Sequence, residues 1–289
     1  MSAMLPVLKP DKIILHLAIM TLVTTSCGSK KPLEQRLDRG LSCVSLVPSI
    51  TEIIYALDGG GLLKGNTNQC DYPAAARQVY KVGDFQAPDL ERIMAVKPAV
   101  VFATLPVHAR LIERLREMKV RVYVSEPKSI ADVFAEIESV GAILGMELKA
   151  RWLADSLRQC LSMLPNFTDT PRVYIEIASA PLMSVGRRTF LNDLIKLAGG
   201  KNIFEFIEQP YPVVAPEDVA RKDPEVILIM HPGTSRIEVQ QRVGWQTISA
   251  IRSGRVYDGL DESLFFRPGP RVIEAVFLLA RLLHQNRVH

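Results

Sequence analysis

The stretch SLVPSITE at residues 45–52 marks the point where an apolar strand runs directly into a helix. A short apolar run begins before it at Cys43, and apolar side chains at helical spacing continue after it to Leu57. Ser49 and Glu52 have the spacing of a capping box, in which the serine hydroxyl accepts from the helix backbone and the glutamate reaches back. This stretch therefore predicts a strand–helix unit of a parallel α/β sheet.

The same alternation of apolar runs and helical patterns continues along the chain. Strands are predicted at Cys43–Val47, Val100–Thr104, Val120–Val124, Val173–Ile177, Val226–Met230 and Val256–Asp258. Helices are predicted at Ser49–Leu57, Leu90–Val96, Ala109–Met118, Ile130–Leu144, Glu147–Leu164, Phe190–Ala198, Glu217–Lys222 and Arg271–His284. Strands that alternate with helices indicate parallel sheets, so the predicted fold class is α/β.

The composition is that of a packed globular protein of one or two domains. The chain has 289 residues, 48% of them hydrophobic and 23% charged, which excludes a disordered chain and a polytopic membrane protein. The formal net charge is +4, from 35 basic and 31 acidic residues. No run of basic residues forms a stripe, so we expect no nucleic-acid partner.

The first residues have the pattern of an export signal. Two lysines precede an apolar run at residues 13–23, and small residues follow it up to Cys27. The run is too short to span a bilayer. A cysteine after small residues resembles a bacterial lipobox, so residues 1–26 are predicted to be a signal peptide and Cys27 to carry lipid. Residues 27–41 would form a polar tether. Plain secretion and a retained anchor are the alternatives.

An internal repeat indicates two lobes of the same topology. Residues 90–101 and residues 216–227 both read as a short helix, a proline stop and an apolar strand, which aligns Glu91 with Glu217 and Pro98 with Pro224. A second match pairs residues 52–60 with residues 192–200. Gly145, suited to a left-handed cap, separates two helices. We expect lobes at residues 42–145 and 166–289, joined by a helix at residues 146–165.

The residues that would mark an enzyme or a metal centre are sparse. The first strand ends in PSIT rather than in the G-x-G-x-x-G of a dinucleotide site. The histidines outside the signal have no metal-ligand spacing, which disfavours a zinc or manganese site. Those at 108 and 231 each follow a predicted strand, so a place at a ligand cleft stays open. Cys43, Cys70 and Cys160 read as buried thiols, or at most one disulfide.

Several short motifs together resemble the iron-siderophore and cobalamin class of periplasmic substrate-binding proteins. They fall in that family's order, over about residues 41 to 285. The motifs are SLVPSITE at 45–52, CDYP at 70–73, VGDF at 82–85, LERI at 90–93, GGKNIF at 199–204, PEDV at 216–219 and RPGPR at 267–271.

The resemblance implies a fold, a mechanism and a set of partners. The fold would be two Rossmann-like α/β lobes bridged by a single long rigid helix, Glu147–Leu164, with the ligand cleft between the lobes. The protein would be a monomeric receptor, anchored in the cell envelope only through its lipid. It would deliver its ligand to an ABC permease dimer with ATPase subunits. Glu91 and Glu217 match the two acidic residues that dock on the permease in that family.

The resemblance also implies which residues bind the ligand. Aromatic walls suit a large flat molecule, and the favoured ligand is cobalamin or another corrinoid, with a ferric siderophore or haem as alternatives. No covalently bound cofactor and no resident metal are expected. The rival function from another class is a bilobal α/β enzyme or metal-cofactor scaffold. The predicted ligand-binding residues are Ser49, Gln69, Phe85, Tyr211, Phe265, Phe266 and Arg267.

Overall fold

Two four-stranded parallel sheets organise residues 41–285, the part of the chain that the computed structural model describes. The strands are β1 (Cys43–Ser45), β2 (Leu63–Asn66), β3 (Val100–Thr104), β4 (Val122–Ser125), β5 (Arg172–Glu176), β6 (Ala178–Ser179), β7 (Leu182–Met183), β8 (Lys201–Asn202), β9 (Val226–Ile229) and β10 (Val256–Tyr257). The first sheet has the order β2-β1-β3-β4 and the second the order β8-β5-β9-β10, while β6 and β7 form a separate antiparallel hairpin.

Helices connect the strands and cover the sheets. The helices are α1 (Pro48–Ala56), α2 (Leu90–Ala95), α3 (Ala109–Glu117), α4 (Ile130–Leu144), α5 (Glu147–Ser162), α6 (Phe190–Leu197), α7 (Pro216–Lys222), α8 (Arg236–Gln240), α9 (Ser249–Arg252), α10 (Glu262–Phe266) and α11 (Val272–His284). Short 3₁₀ helices lie at Gly59–Leu62 and Ala74–Gln78. No helix among residues 41–285 is both long enough and apolar enough to cross a membrane.

The two sheets have the same topology, which confirms the repeat seen in the sequence. In each sheet the second strand in chain order lies beside the first, and the third and fourth follow on the other side. The repeated helices therefore occupy matching positions: α2 precedes β3 in the first lobe, and α7 precedes β9 in the second. The predicted strands and helices are all present, with boundaries that differ by at most two residues.

A single hydrophobic core runs through both lobes. Along β3, Val100 and Phe102 face this shared core, while Val101 and Ala103 face a second core on the outer side of the sheet. Along β9, Val226 and Leu228 face the shared core in the same way, while Ile227 and Ile229 face a third core. This two-residue period is that of a sheet covered on both faces. The shared core includes buried side chains of α1, α4, α6 and α11.

Helices α4 and α5 follow the last strand of the first sheet and precede the first strand of the second. The first, α4, ends at Gly145 in the left-handed conformation (φ 72°), as predicted, and α5 begins two residues later. A Cβ atom at Gly141 would lie 2.2 Å from the Cβ of Ala150, so the close approach of α4 and α5 requires glycine there. Helix α4 contacts both α1 and α6, whereas α5 contacts α4 and α11. The bridging role of Glu147–Leu164 stays a prediction, because α4 also spans elements of both lobes.

Some sequence-based expectations lie outside the described residues or concern single side chains. The signal peptide, Cys27 and all of the tether except Leu41 fall outside residues 41–285. Cys43, Cys70 and Cys160 are free thiols. Burial raises the pKa of Cys43 to about 12, because the thiolate would lose its hydration.

Candidate functional site

A cleft with a volume of about 580 Å³ lies between the two lobes. Its first wall is formed by residues that follow β1, β3 and β4, at the carboxyl ends of parallel strands, where ligand sites of open α/β sheets occur. Its second wall comes from the start of α6, the segment before α7 and the segment after α10. All of the predicted ligand-binding residues line this one cleft: Ser49, Gln69, Phe85, Tyr211, Phe265, Phe266 and Arg267.

The first turn of α1 differs from its prediction. The helix begins at Pro48, whose fixed φ suits the first helical position, and Val47 is the N-cap without a side-chain hydrogen bond. Ser49 therefore lies inside the first turn and cannot accept as a cap, so the predicted capping box with Glu52 is wrong. The Ser49 hydroxyl is buried and has no hydrogen-bond partner among the described residues.

Glu52 instead forms the central ion pair between the lobes. Its carboxylate is 3% exposed and accepts two hydrogen bonds from Arg271, from Nε at 2.9 Å and from Nη2 at 2.7 Å. The Arg271 guanidinium also lies over the Tyr72 ring, 4.1 Å from its centroid. The hydrogen bond to Glu52 is the main reason that the pKa of Arg271 is raised. A bidentate pair of this kind fixes the segment after α10 against α1.

Arg267 extends this network to the cleft. Its Nη1 donates to Oδ1 of Asp71 at 2.6 Å and lies 3.5 Å from Oε1 of Glu52. Burial opposes the charge of Asp71, but the hydrogen bond and the charge of Arg267 outweigh it and lower the pKa of this carboxyl. The loop that carries Asp71 is held by the ammonium group of Lys81, which donates to the carbonyl oxygens of Thr67, Cys70 and Ala76.

Phe85 is held in the cleft wall by two polar side chains. Its amide donates to Oε1 of Gln69 at 2.7 Å, and its carbonyl oxygen lies 2.6 Å from Nε2 of His108. Nδ1 of His108 accepts from the amide of Thr104, so Nε2 carries the ring proton and donates to Phe85. Burial lowers the pKa of His108, which favours this neutral form. Gln69 and His108 thus position Phe85, whose ring also contacts the His108 ring in a T-shaped arrangement, with centroids 5.1 Å apart.

The second wall is aromatic, and its charged side chains are paired. Tyr211 is 45% exposed and Phe266 is 38% exposed, whereas Phe265 is fully buried and belongs mainly to the shared core. Burial raises the pKa of Tyr211, so its phenol stays protonated at neutral pH. Arg188 borders the cleft with its Nε 2.8 Å from Oε2 of Glu208. This wall therefore offers aromatic rings and two arginines, Arg188 and Arg267, that already have partners.

Several residues of the cleft were missed in the sequence. Leu105 and Val107 follow β3, and Glu126 and Lys128 follow β4. Their position directly after predicted strands is the signal that could have found them. Arg188 is exposed and also lines the cleft.

A buried carboxyl group lies behind the wall formed by β4. Glu136 of α4 is 5% exposed, and its Oε2 has no partner among the described residues. Burial raises the pKa of Glu136 to about 7, although a hydrogen bond from Ser125 opposes the shift. Ser125 itself lines the cleft, so this hydroxyl is already engaged.

His231 does not reach the cleft between the lobes. It borders a separate cavity of about 410 Å³, and its Nε2 lies 3.1 Å from Oε1 of the fully buried Glu176. Arg242 pairs with both oxygens of the same carboxylate, at 2.5 and 2.7 Å. Within residues 41–285, no group of three or more His, Cys, Asp and Glu side chains is arranged to hold a metal ion.

Glu91 and Glu217 occupy equivalent positions outside the cleft. Each is exposed in the first turn of the helix that leads into the third strand of its sheet, α2 for Glu91 and α7 for Glu217. A helix that leads into a parallel strand begins near the carboxyl ends of the sheet. Both carboxylates therefore lie on the side of the sheets that also carries the cleft.

Comparisons with known proteins agree on one family. Residues 43–262 match the model of a family described as periplasmic binding protein. An uncharacterised ABC transporter substrate-binding lipoprotein, YvrC of Bacillus subtilis, is 31% identical over 254 residues, which cover 84% of this chain and 80% of that protein. The vitamin B12-binding protein of Vibrio parahaemolyticus is 29% identical over 241 residues, 81% of this chain and 86% of the relative.

Solved structures share the fold. The periplasmic vitamin B12-binding protein BtuF of Vibrio cholerae superposes with a TM-score of 0.70 at 26% identity, covering 86% of this chain and 98% of that one. A periplasmic haem-binding protein, BhuT in complex with two haems, gives a TM-score of 0.74 at 24% identity, covering 84% of this chain and 97% of that one. At that identity the second likeness concerns the fold alone.

The ion pair of Glu52 generates a prediction on stability. Arg271→Met should lower the free energy of unfolding by roughly 3 to 5 kcal/mol, because it removes both hydrogen bonds to a buried carboxylate and leaves it only Arg267, which is shared with Asp71. Arg188→Met makes the same change at an exposed pair and should cost less than about 1 kcal/mol. Urea unfolding followed by circular dichroism measures both variants. Equal stabilities of the two variants would contradict a special role for Glu52.

Proposed function

Because the chain belongs to the family of periplasmic binding proteins, we propose that it is the substrate-binding lipoprotein of an ABC importer that captures a corrinoid. In the coarser sense it is an ABC transporter substrate-binding protein of the class that includes vitamin B12-binding proteins, and it shares its fold with a haem-binding protein. Its task is binding and release, with no chemical step on the ligand. The permease and its ATPase subunits are the proposed partners, and the receptor acts as a monomer.

The observation that carries the corrinoid proposal is the aromatic cleft between the lobes. The half-buried Phe85 on one side and the exposed Tyr211 and Phe266 on the other line a space of about 580 Å³. Rings contribute contact area without the entropy cost of long flexible side chains, which suits a large flat macrocycle. The B12-binding relatives align over most of this chain, which supports a corrinoid over other macrocycles.

Haem is the second candidate, and the cleft favours it less. Haem iron needs an axial ligand such as histidine, cysteine, methionine or a tyrosine phenolate. Both ring nitrogens of His108 are engaged with backbone groups, and the raised pKa of Tyr211 disfavours its phenolate. A corrinoid does not require an axial ligand from the protein, because its recognition can rest on contacts with the ring faces and the ring substituents. The visible absorbance spectrum of the protein purified from its host separates corrinoid, haem and ferric siderophore.

Ligand affinity tests the aromatic walls. Phe85→Ala and Tyr211→Ala should each weaken binding of cyanocobalamin by roughly 1 to 3 kcal/mol, because each removes a ring that packs on the ligand. Phe206→Ala removes an exposed ring outside the cleft and is the matched control. Isothermal titration calorimetry with cyanocobalamin, and with haemin in parallel, gives the affinities. Unchanged cyanocobalamin affinity in both cleft variants would contradict a contact of Phe85 and Tyr211 with the ligand.

Transport tests the docking of Glu91 and Glu217. We propose that these exposed carboxylates meet basic pockets on the two-fold permease, because they occupy matching positions of two equivalent lobes. Rim charges govern association and register more than capture of a small ligand. Glu91→Arg combined with Glu217→Arg should abolish uptake of radiolabelled cyanocobalamin by cells, while its Kd stays within about twofold.

The control for this test makes the same two Glu→Arg changes at exposed positions on other helices. Glu117→Arg combined with Glu147→Arg reverses two exposed glutamates on α3 and α5. This control should transport at the wild-type rate. Normal uptake by the Glu91 and Glu217 double variant would remove these residues from the docking surface.

Membrane attachment tests the lipid anchor. We propose that Cys27 carries the acyl chains, because it follows a run of small residues after an export signal. Cys27→Ser should move the protein from the membrane fraction to the soluble fraction, since the acyl chains are then missing. Cys160→Ser, at a partly buried thiol, is the control and should stay with the membranes. Membrane retention of the Cys27 variant would contradict the lipoprotein proposal.

A further inference from the structure

The hydroxyl groups at the start of α1 are not equally satisfied. Oγ1 of Thr51 donates to Oγ of Ser45 at 2.9 Å, and Oγ of Ser45 donates in turn to the carbonyl oxygen of Val47 at 2.9 Å. These two hydroxyls hold the turn from β1 into α1. The hydroxyl of Ser49, in the same turn, has no hydrogen-bond partner among the described residues. Ser49 is only 2% exposed and lines the cleft. A buried polar group left in this way costs free energy.

The backbone around Ser49 offers further donors. Helix α1 has nine residues, and the amide N–H groups of Ser49 and Ile50, in its first turn, have no acceptor among residues 41–285. Both residues are buried, so water does not readily satisfy these amides. The helix dipole adds a partial positive charge at the same point. The Ser49 hydroxyl and these two amides thus lie in one turn of α1, of which Ser49 lines the cleft.

Two other helices that begin at this cleft have caps. The first turn of α4 is capped by Ser129, whose hydroxyl accepts from the amide of Asp132. The first turn of α6 is capped by Thr189, whose hydroxyl accepts from the amide of Asn192. The cap of α6 leaves the amides of Phe190 and Leu191 without an acceptor among residues 41–285, as at α1. Of these three helices, only α1 adds a buried hydroxyl without a partner, that of Ser49, to the free amides of its first turn.

We infer that the first turn of α1 is an oxyanion subsite of the cleft, in which the Ser49 hydroxyl and the amides of Ser49 and Ile50 bind a carboxylate or phosphate group of the ligand. Helix N-termini with free amides bind such groups because their donors and their dipole both favour negative charge. Nearby arginines do not supply this interaction, since Arg267 pairs with Asp71 and Arg188 pairs with Glu208. The inference rests on the proposed function, because it needs a transported ligand in this cleft.

Paired probes that differ in their anionic groups test the subsite. Cyanocobalamin has a phosphodiester that dicyanocobinamide lacks, and haemin has propionates that are blocked in haemin dimethyl ester. Ser49→Ala should weaken binding of the anionic member of whichever pair binds by about tenfold, and it should leave the other member within about twofold. A loss confined to cyanocobalamin identifies phosphate as the bound group, and a loss confined to haemin identifies carboxylate.

The thermal stability of the ligand-free variant separates this role from a structural one. Ser49→Ala removes an unsatisfied hydroxyl, so its Tm should equal or exceed that of the wild type. Ser125→Ala is the matched control: it removes a second buried hydroxyl of the same cleft, one that already bonds to Glu136. Ser125→Ala should lower the Tm and should not change the preference for the anionic member of either pair.

The possible failures are distinguishable. A clear fall in the Tm of Ser49→Ala would overturn the subsite, because the hydroxyl would then have a partner within the fold. Equal loss of affinity for both members of a pair, or no loss for either, would also overturn it and would leave the proposed function intact. Failure of the wild-type protein to bind any of the four probes would contradict the proposed function, and the subsite would fall with it.

Discussion

The carboxylate of Glu52 lies buried where the two lobes meet, and much of the cleft depends on keeping it paired. A carboxylate removed from water is tolerated only with excellent compensation, which Arg271 provides with two hydrogen bonds. That requirement fixes the segment 267–271 of the second lobe against α1 of the first. A Cβ atom at Gly269 would lie only 3.4 Å from the carbonyl oxygen of Ser49, which shows how closely the segment packs. Arg267 and Phe266 are consequently held at the cleft, beside the first turn of α1.

The shared hydrophobic core imposes a second constraint on the same region. Side chains of α1 and α4 from the first half of the chain pack in one continuous cluster with those of α6 and α11 from the second. Opening the cleft widely would expose this apolar surface to water, at about 25 cal/mol for each Å². A Glu52 pair and a continuous core both resist such a movement. The proposed ligand therefore meets a cleft whose walls are already in position, and pre-organisation of this kind lowers the cost of binding.

The sequence predicted the sheets well because their central strands are apolar on both faces, as β3 and β9 are. It missed β2 and β8, since strands such as Leu63–Asn66 and Lys201–Asn202 are short, polar and at the ends of their sheets. The residues lining the cleft could be predicted from motif resemblance, but their partners could not. Gln69 was expected to contact ligand, yet its oxygen holds the amide of Phe85. The capping box failed because Pro48 starts the helix one residue earlier, a shift that only the backbone reveals.

The polar groups of the cleft divide into those that build it and those that remain available. Gln69 accepts a hydrogen bond from the amide of Phe85 and His108 donates one to its carbonyl oxygen, so both orient Phe85. The charges of Arg267 and Arg188 are neutralised by Asp71 and Glu208. What is left facing the space between the lobes is ring surface, the exposed side chains of Glu126 and Lys128, and the uncapped start of α1. Such a site offers a ligand ring faces, one charge of each sign and the amides of a helix start. The exposed carboxylates of Glu91 and Glu217 lie on separate helices outside the cleft. A partner that binds these carboxylates therefore need not disturb the groups that line the cleft.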